Sequence, residues 1–383
     1  MFASLRNNLL GQAHKCSGSE RGENNGKIIG YIQPKINQEK RRKPKVAELT
    51  FTDKMIEEIK AKKSILNVGL DPQMKFMPPH LINWALDLEG PEVTEGEVKK
   101  LTSKGVGRLF YRFNQEIIDT IYPFAVSVKP QIAFYEAYGA DGLWAFEKTV
   151  IYAMSKGLLV ITDAKRGDGG DTAQAYADGH LGEVTFPVLK DGVLEFESAS
   201  SSVRTDALTI HAWIGDSCVA PFVEAAKKYG TGIFVVCKTS FAPDSRIEQL
   251  IAQSGLPVWQ ELASMVAEWG EGTEGKYGYR NVGVVMGATK PDDAPAMRQI
   301  LPKAWMLIPG YGAQGGGADG AVVVINDDGF GGVVNSSRQV IAAHQKGQFQ
   351  CEPEKFAEAA AKAAEFSRDD LNAALKRSGK MNW

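Results

Sequence analysis

The sequence predicts an α/β protein built as a closed (β/α)8 barrel, the TIM-barrel architecture. Eight short apolar, β-branched runs recur along the chain, at 64–70, 124–129, 158–163, 207–211, 233–238, 282–287, 305–309 and 332–335. They are apolar throughout rather than alternating, as expected of strands covered on both faces. Most are separated by stretches long enough for a helix, which favours a closed parallel barrel over an open doubly wound sheet. The chain has 383 residues, whereas such barrels commonly run to about 250 as one unit. We therefore read 1–48 as an extension and 49–383 as the barrel domain.

The extension mixes Asn, Gly, Ser and Gln with a basic cluster, Lys40-Arg41-Arg42-Lys43, and shows little apolar periodicity. That composition predicts disorder. A transit peptide is the rival reading, because acids are absent before Glu20 and basic Arg6 and Lys15 flank Leu9 and Leu10. The barrel domain opens with a helix over 52–62, where Phe51, Met55, Ile56 and Ile59 share one face and Thr52 or Asp53 is the expected cap. Further helices are predicted at 109–121, 143–154, 219–228, 258–269 and 294–300. The last is short, but Pro295 suits a first helical position. An Ala-rich tail over 353–376 is the closing helix.

Composition bounds the function. A hydrophobic fraction of 44% supplies a sizeable core, and the formal charge of −2 gives no footprint for a nucleic-acid polymer or a membrane surface. The longest apolar runs, such as 158–161 and 233–236, are strand-length and too short to span a bilayer. Cys16, Cys218, Cys237 and Cys351 lie far apart with no CxxC pair. This argues against a zinc site or disulfide scaffold and for a reducing, cytoplasmic setting.

In a (β/α)8 barrel the reactive side chains sit at the C-terminal ends of the strands. Here those ends carry Asp71, then Lys129, then Asp163-Ala164-Lys165-Arg166-Gly167-Asp168, then His211, Lys238-Thr239-Ser240, Pro309-Gly310-Tyr311-Gly312 and Ser336-Ser337-Arg338. Charges ending buried strands are costly unless paired. Asp163 and Lys165 are two positions apart, so in extended backbone both point toward the mouth, and Lys129 on the adjacent strand reaches Asp163. A carboxylate between two ammonium groups keeps all three charged at neutral pH. A self-neutralising salt-bridge cluster is the bland alternative, and the other polar strand ends weigh against it.

Two successive loops suggest a phosphorylated ligand. Pro309 to Gly317 follows the seventh strand and Asn335-Ser336-Ser337-Arg338 the eighth. Many barrels hold a phosphate there on backbone N–H groups that glycine leaves accessible. Arg338 adds a forked cationic donor suited to a dianion.

These residues resemble one family. Asp163-x-Lys165-x-x-Asp168 followed by Thr172 matches the DxKxxD signature of orotidine 5'-phosphate decarboxylases. Val128-Lys129-Pro130-Gln131-Ile132-Ala133-Phe134-Tyr135-Glu136 and Pro309-Gly310-Tyr311-Gly312-Ala313-Gln314-Gly315-Gly316 are similar to its second, mostly bacterial type. The resemblance covers most of 65–341. It implies decarboxylation of orotidine 5'-phosphate to uridine 5'-phosphate and CO2, the last step of de novo UMP synthesis, with neither metal nor organic cofactor. Lys165 would be the proton donor to C6, and Asp163 and Lys129 its charged neighbours. Asp168 would be contributed across the interface of a homodimer with shared active sites. Asp71 and Thr172 would bind ribose hydroxyls, Thr172 again from the partner, and Ser240 would contact the pyrimidine edge. Gln314 would bridge base and phosphate, and Gly312 and Arg338 would bind the phosphate. The chain departs from the family pattern at Gly169-Gly170-Asp171, where an apolar residue usually follows the aspartate, and at Phe241, where a polar one is usual.

Three rival functions share parts of this pattern. A magnesium-dependent 3-keto-gulonate phosphate decarboxylase or hexulose phosphate synthase would need a further acidic ligand at the mouth. A Schiff-base aldolase would need a lysine of lowered pKa, whereas Lys165 and Lys129 flank a carboxylate. A non-catalytic nucleotide-binding barrel would keep the pocket without turnover. His80, His180 and His211 read as ordinary polar positions, and Cys237 as a small core residue.

Overall fold

All eight apolar runs fold as strands: β1 Leu66–Leu70, β2 Ser127–Pro130, β3 Leu159–Arg166, β4 Ala207–Ile210, β5 Gly232–Lys238, β6 Arg280–Met286, β7 Ala304–Ile308 and β8 Gly332–Ser336. The computed structural model describes residues 49–94, 98–241 and 244–383. The extension expected at 1–48, with both readings of it, lies outside the described residues. Among the described residues the eight strands are parallel and close on themselves, each beside its neighbours in sequence, with β1 joining β8 to β2. Register sets Val68 beside Ser336 and Gly69 beside Lys129, so the ends of β8, β1 and β2 emerge side by side. The strands are buried along nearly their whole length, each large apolar side chain contributing roughly 1.5–3 kcal/mol.

The longer helices are α1 Phe51–Lys62, α2 Pro79–Glu89, α3 Ser103–Ile121, α4 Gly139–Ser155, α5 Gly170–Leu181, α6 Asp216–Tyr229, α7 Val258–Trp269, α8 Ala294–Ile300 and α9 Phe356–Arg377. The cap of α1 is Thr50, not Thr52 or Asp53. Thr50 Oγ1 accepts from the Asp53 backbone while Asp53 accepts from the Thr50 backbone, a reciprocal capping box. Thr52 is committed elsewhere, bonding Asn281 and the Tyr279 carbonyl. Helix α3 starts six positions before the expected 109 because Gly105 and Gly107 masked its first turns. A Cβ on Gly107 would lie 2.5 Å from the Asp141 carbonyl, so that glycine lets α3 approach α4 closely.

Described features absent from the sequence reading include α2, α5, and a long antiparallel hairpin of Glu183–Lys190 and Val193–Ser200. Its turn is Asp191-Gly192, both with positive φ (49° and 79°), the geometry of a type I′ turn for which Asp-Gly is a strong signal. Phe186, Leu189, Val193, Leu194 and Phe196 of this hairpin are all exposed.

The end of α5 carries a titratable core residue. His180 is buried, its Nδ1 has no hydrogen-bond partner, and burial, assisted by Arg166, lowers its pKa to about 4. The unfolded chain binds this proton near pH 6.5 and the folded chain resists it down to about 4. The stability from neutral His180 is therefore complete above pH 6.5 and is lost as pH falls toward 4, by about 3 kcal/mol at most. Urea unfolding at pH 7 and 4.5 should show wild type losing clearly more stability than His180→Gln. Equal losses in the two proteins would refute this.

Candidate active site

The end of β3 brings the expected ionic row together. Lys129 Nζ donates to Asp163 Oδ2 at 2.8 Å and Lys165 Nζ to Asp163 Oδ1 at 2.5 Å. Lys129 and Asp163 are buried, whereas the Lys165 side chain is 41% exposed toward the mouth. Burial pushes the Asp163 carboxyl upward, but the two flanking ammonium groups prevail and hold it well below the usual carboxylate range. Lys129 is likewise held charged: burial opposes this, and Asp163 and Asp71 outweigh it.

The backbone reaches this arrangement by a route the alternation argument did not foresee. Lys165 is not extended. Its φ is +49°, and the pairing of β3 with β4 shifts register between Thr162 and Arg166. Such a bulge re-aims a side chain at the cost of local strain, of order 1–3 kcal/mol. Thr209 on β4, unmarked in the sequence, offsets it. Its buried hydroxyl accepts from the backbone N–H groups of Ala164 and Lys165, both at 3.0 Å, and donates to Asp163 Oδ1 at 2.9 Å. Thr209→Val should cost about 1–3 kcal/mol by orphaning these groups and should lower kcat with the bulge. Thr209→Ser should retain most of both. Denaturant melts with parallel kinetics would check this, and a valine variant with normal kcat would contradict it.

Asp71 joins the row to the phosphate side. Its Oδ1 is buried without a partner, and burial raises its pKa against the pull of Lys129 and a hydrogen bond with Ser337. Ser337 immediately precedes Arg338 and also accepts from Asn335 at 3.2 Å. It sits so close to β1 that a Cβ on Gly69 would meet its Oγ at 1.8 Å. The residues Arg338, Ser337, Asp71, Lys129, Asp163 and Lys165 thus run across four adjacent strands, β8, β1, β2 and β3.

Arg338 also borders a cavity of about 790 Å³ whose lining includes Ser240, Lys290, Gln314 and Gly315 to Gly317. Ser240 Oγ donates to Gln314 Oε1 at 2.8 Å, linking the loop after β5 to the loop after β7. Gly312 has φ +75° and packs where a Cβ would strike Gln339 Oε1, so it shapes the turn through its conformation. Arg338 is exposed at the cavity rim.

Asp168 and Thr172 make no described bond to the row of their own chain. Both are exposed, and the hydrogen bond described for the Asp168 side chain is from the Gly169 backbone, at 2.7 Å. The Gly169-Gly170-Asp171 departure opens α5, with Gly169 as its N-terminal boundary and Gly170 at φ +56°. His211 is exposed one residue past β4, and Cys237 is buried as expected. Lys238, named among the charged strand ends, is fully buried, and the carboxylates that ring it, Asp244, Glu248 and Asp293, are the partners the sequence did not mark.

A closed parallel barrel with charged side chains at the C-terminal ends of its strands and a glycine-rich loop after the seventh has the form of the (β/α)8 enzymes, many of which hold a phosphate at the loops after the last two strands. A family model described as "Orotidine 5'-phosphate decarboxylase / HUMPS family" matches residues 66–348, and the chain belongs to this family. It is 33% identical over 327 residues to an orotidine 5'-phosphate decarboxylase of Caldicellulosiruptor saccharolyticus, covering 85% of this chain and 99% of that one. A Rhodopirellula baltica protein of the same name is 34% identical over 301 residues, covering 79% and 91%. Among solved structures, OMP decarboxylase from Leishmania donovani aligns with a TM-score of 0.61 at 25% identity, covering 85% of this chain and 99% of that chain.

Proposed function

We propose that this enzyme decarboxylates orotidine 5'-phosphate to uridine 5'-phosphate and CO2. The observation that carries the reading is Asp163 ion-paired on both oxygens, by Lys129 and Lys165, with only Lys165 open to the mouth. In the reaction the bond from C6 to the carboxylate breaks, its electron pair stays on C6, and CO2 departs. That pair occupies an sp2 orbital that the ring delocalises poorly, so a fixed cation beside C6 stabilises the developing charge. Lys165 then transfers a proton to C6 and regains one from solvent.

The remaining roles follow from position. Asp71, with its unpartnered buried oxygen, suits a ribose hydroxyl. Ser240 and Gln314 already bond each other at the cavity wall, which suits the pyrimidine edge and the bridge to phosphate. Gly312, within the turn of the glycine loop, and Arg338 suit the phosphate. Remote phosphate contacts supply binding energy that holds the base against the ionic row. Asp168 and Thr172, exposed at the start of α5, suit the active site of a second copy in a homodimer. The widely spaced cysteines support action in the cytoplasm.

Loss of orotidine 5'-phosphate absorbance in the presence of a chelator tests the reading. We expect undiminished turnover with CO2 and uridine 5'-phosphate released in equal amounts. Turnover that requires added divalent cation, or acts only on a sugar phosphate, would assign the chain to the other branch of its family.

A further inference from the structure

We infer that Lys290 is a second cation for the substrate phosphate, an inference that rests on the functional reading above. Lys290 lies in the loop after β6, and its side chain, 14% exposed, lines the same cavity as Arg338, Gln314 and Ser240. A phosphate dianion facing Arg338 alone would keep a net negative charge in a half-closed cavity. One further ammonium neutralises it.

The surroundings of Lys290 fit a cation that can change partners. Its Nζ pairs with Asp244 Oδ1. The other oxygen of Asp244 accepts from Lys238 at 3.0 Å and from Gln249 at 2.6 Å. Lys238 is fully buried and also lies 3.1 Å from Asp293. If Lys290 swings from Asp244 to a phosphate, Asp244 therefore keeps a buried ammonium and an amide donor, and no carboxylate is left uncompensated. With Lys290 in place, hydrogen bonds from Lys290 and Lys238 draw the Asp244 pKa down to about 2. The adjacent Thr289 donates to the Ser240 carbonyl at 2.9 Å, which fixes the segment bearing Lys290 to the loop beside the base. A flexible lysine stem suits this exchange better than the planar fork of arginine, which suits a standing contact.

The test is calorimetric titration of the full-length protein, as wild type, Lys290→Met and Lys290→Arg, with uridine 5'-phosphate at low and high salt. Lys290→Met should weaken binding roughly 10- to 100-fold at low salt and flatten its salt dependence. Lys290→Arg, which keeps the charge, should recover most of the affinity. The inference is overturned if Lys290→Met binds within about twofold of wild type, or if wild type and Lys290→Met lose affinity with salt in parallel. It is equally overturned if methionine and arginine variants are weakened alike, since the role would then be structural. Wild-type protein that binds no uridine 5'-phosphate would overturn the functional reading itself, a result distinct from these.

Discussion

Lys165→Ala is expected to lower turnover of orotidine 5'-phosphate by at least about 10⁴-fold, combining the loss of a general acid with that of a fixed charge at the reacting carbon. Fold and nucleotide binding should survive, because Lys165 is the most exposed member of the row and Lys129 remains on Asp163. Progress curves with the alanine variant, alongside a titration with uridine 5'-phosphate, would check both halves. A variant within tenfold of wild type in turnover would remove Lys165 from the chemistry.

Asp163→Ala is expected to damage stability as well as activity. Lys129 is buried, and removing its carboxylate leaves an unpaired ammonium in the barrel, at a cost of about 3–5 kcal/mol. It also frees Thr209 from one of its three bonds and releases Lys165 from the position it holds. Turnover should fall by at least about 10³-fold. The pH dependence has a definite sign. The folded carboxyl titrates below its unfolded value near 3.9. Its contribution is therefore complete above about pH 4 and is lost as pH falls further, toward its folded value. Denaturant melts at pH 7 and pH 3 should show the gap between wild type and Asp163→Ala narrowing in acid. A constant gap would mean that ionisation of Asp163 contributes nothing to stability.

The barrel was legible because its strands, buried on both faces, announce themselves as uniformly apolar runs, and each run became a strand within a few residues. Helix α3 was only partly legible: its first turns hold Gly105 and Gly107, which serve close packing on α4 and carry no apolar periodicity. The hairpin of Glu183–Lys190 and Val193–Ser200 was missed although Asp191-Gly192 advertised it, since it stands outside the alternation of strand and helix that organised the reading.

For the site, charged residues ending buried strands were enough to find Lys129, Asp163 and Lys165, and the structure brings them within hydrogen-bond distance. What alternation could not supply was the bulge. A residue with φ +49° in a β-strand leaves no mark in sequence, and the threonine that sustains it looks like any other buried β-branched residue. The bond from Ser337 to Asp71 was hidden for a similar reason. It depends on β8 closing against β1, a pairing between the two ends of the domain.

The most direct measurement is a crystal structure of the full chain with uridine 5'-phosphate bound. The account predicts C6 of the base about 3 Å from Lys165 Nζ, the ribose hydroxyls at Asp71, and the phosphate between Arg338 and the glycine loop. A nucleotide bound elsewhere on the barrel, or one whose base turns away from Lys165, would contradict it.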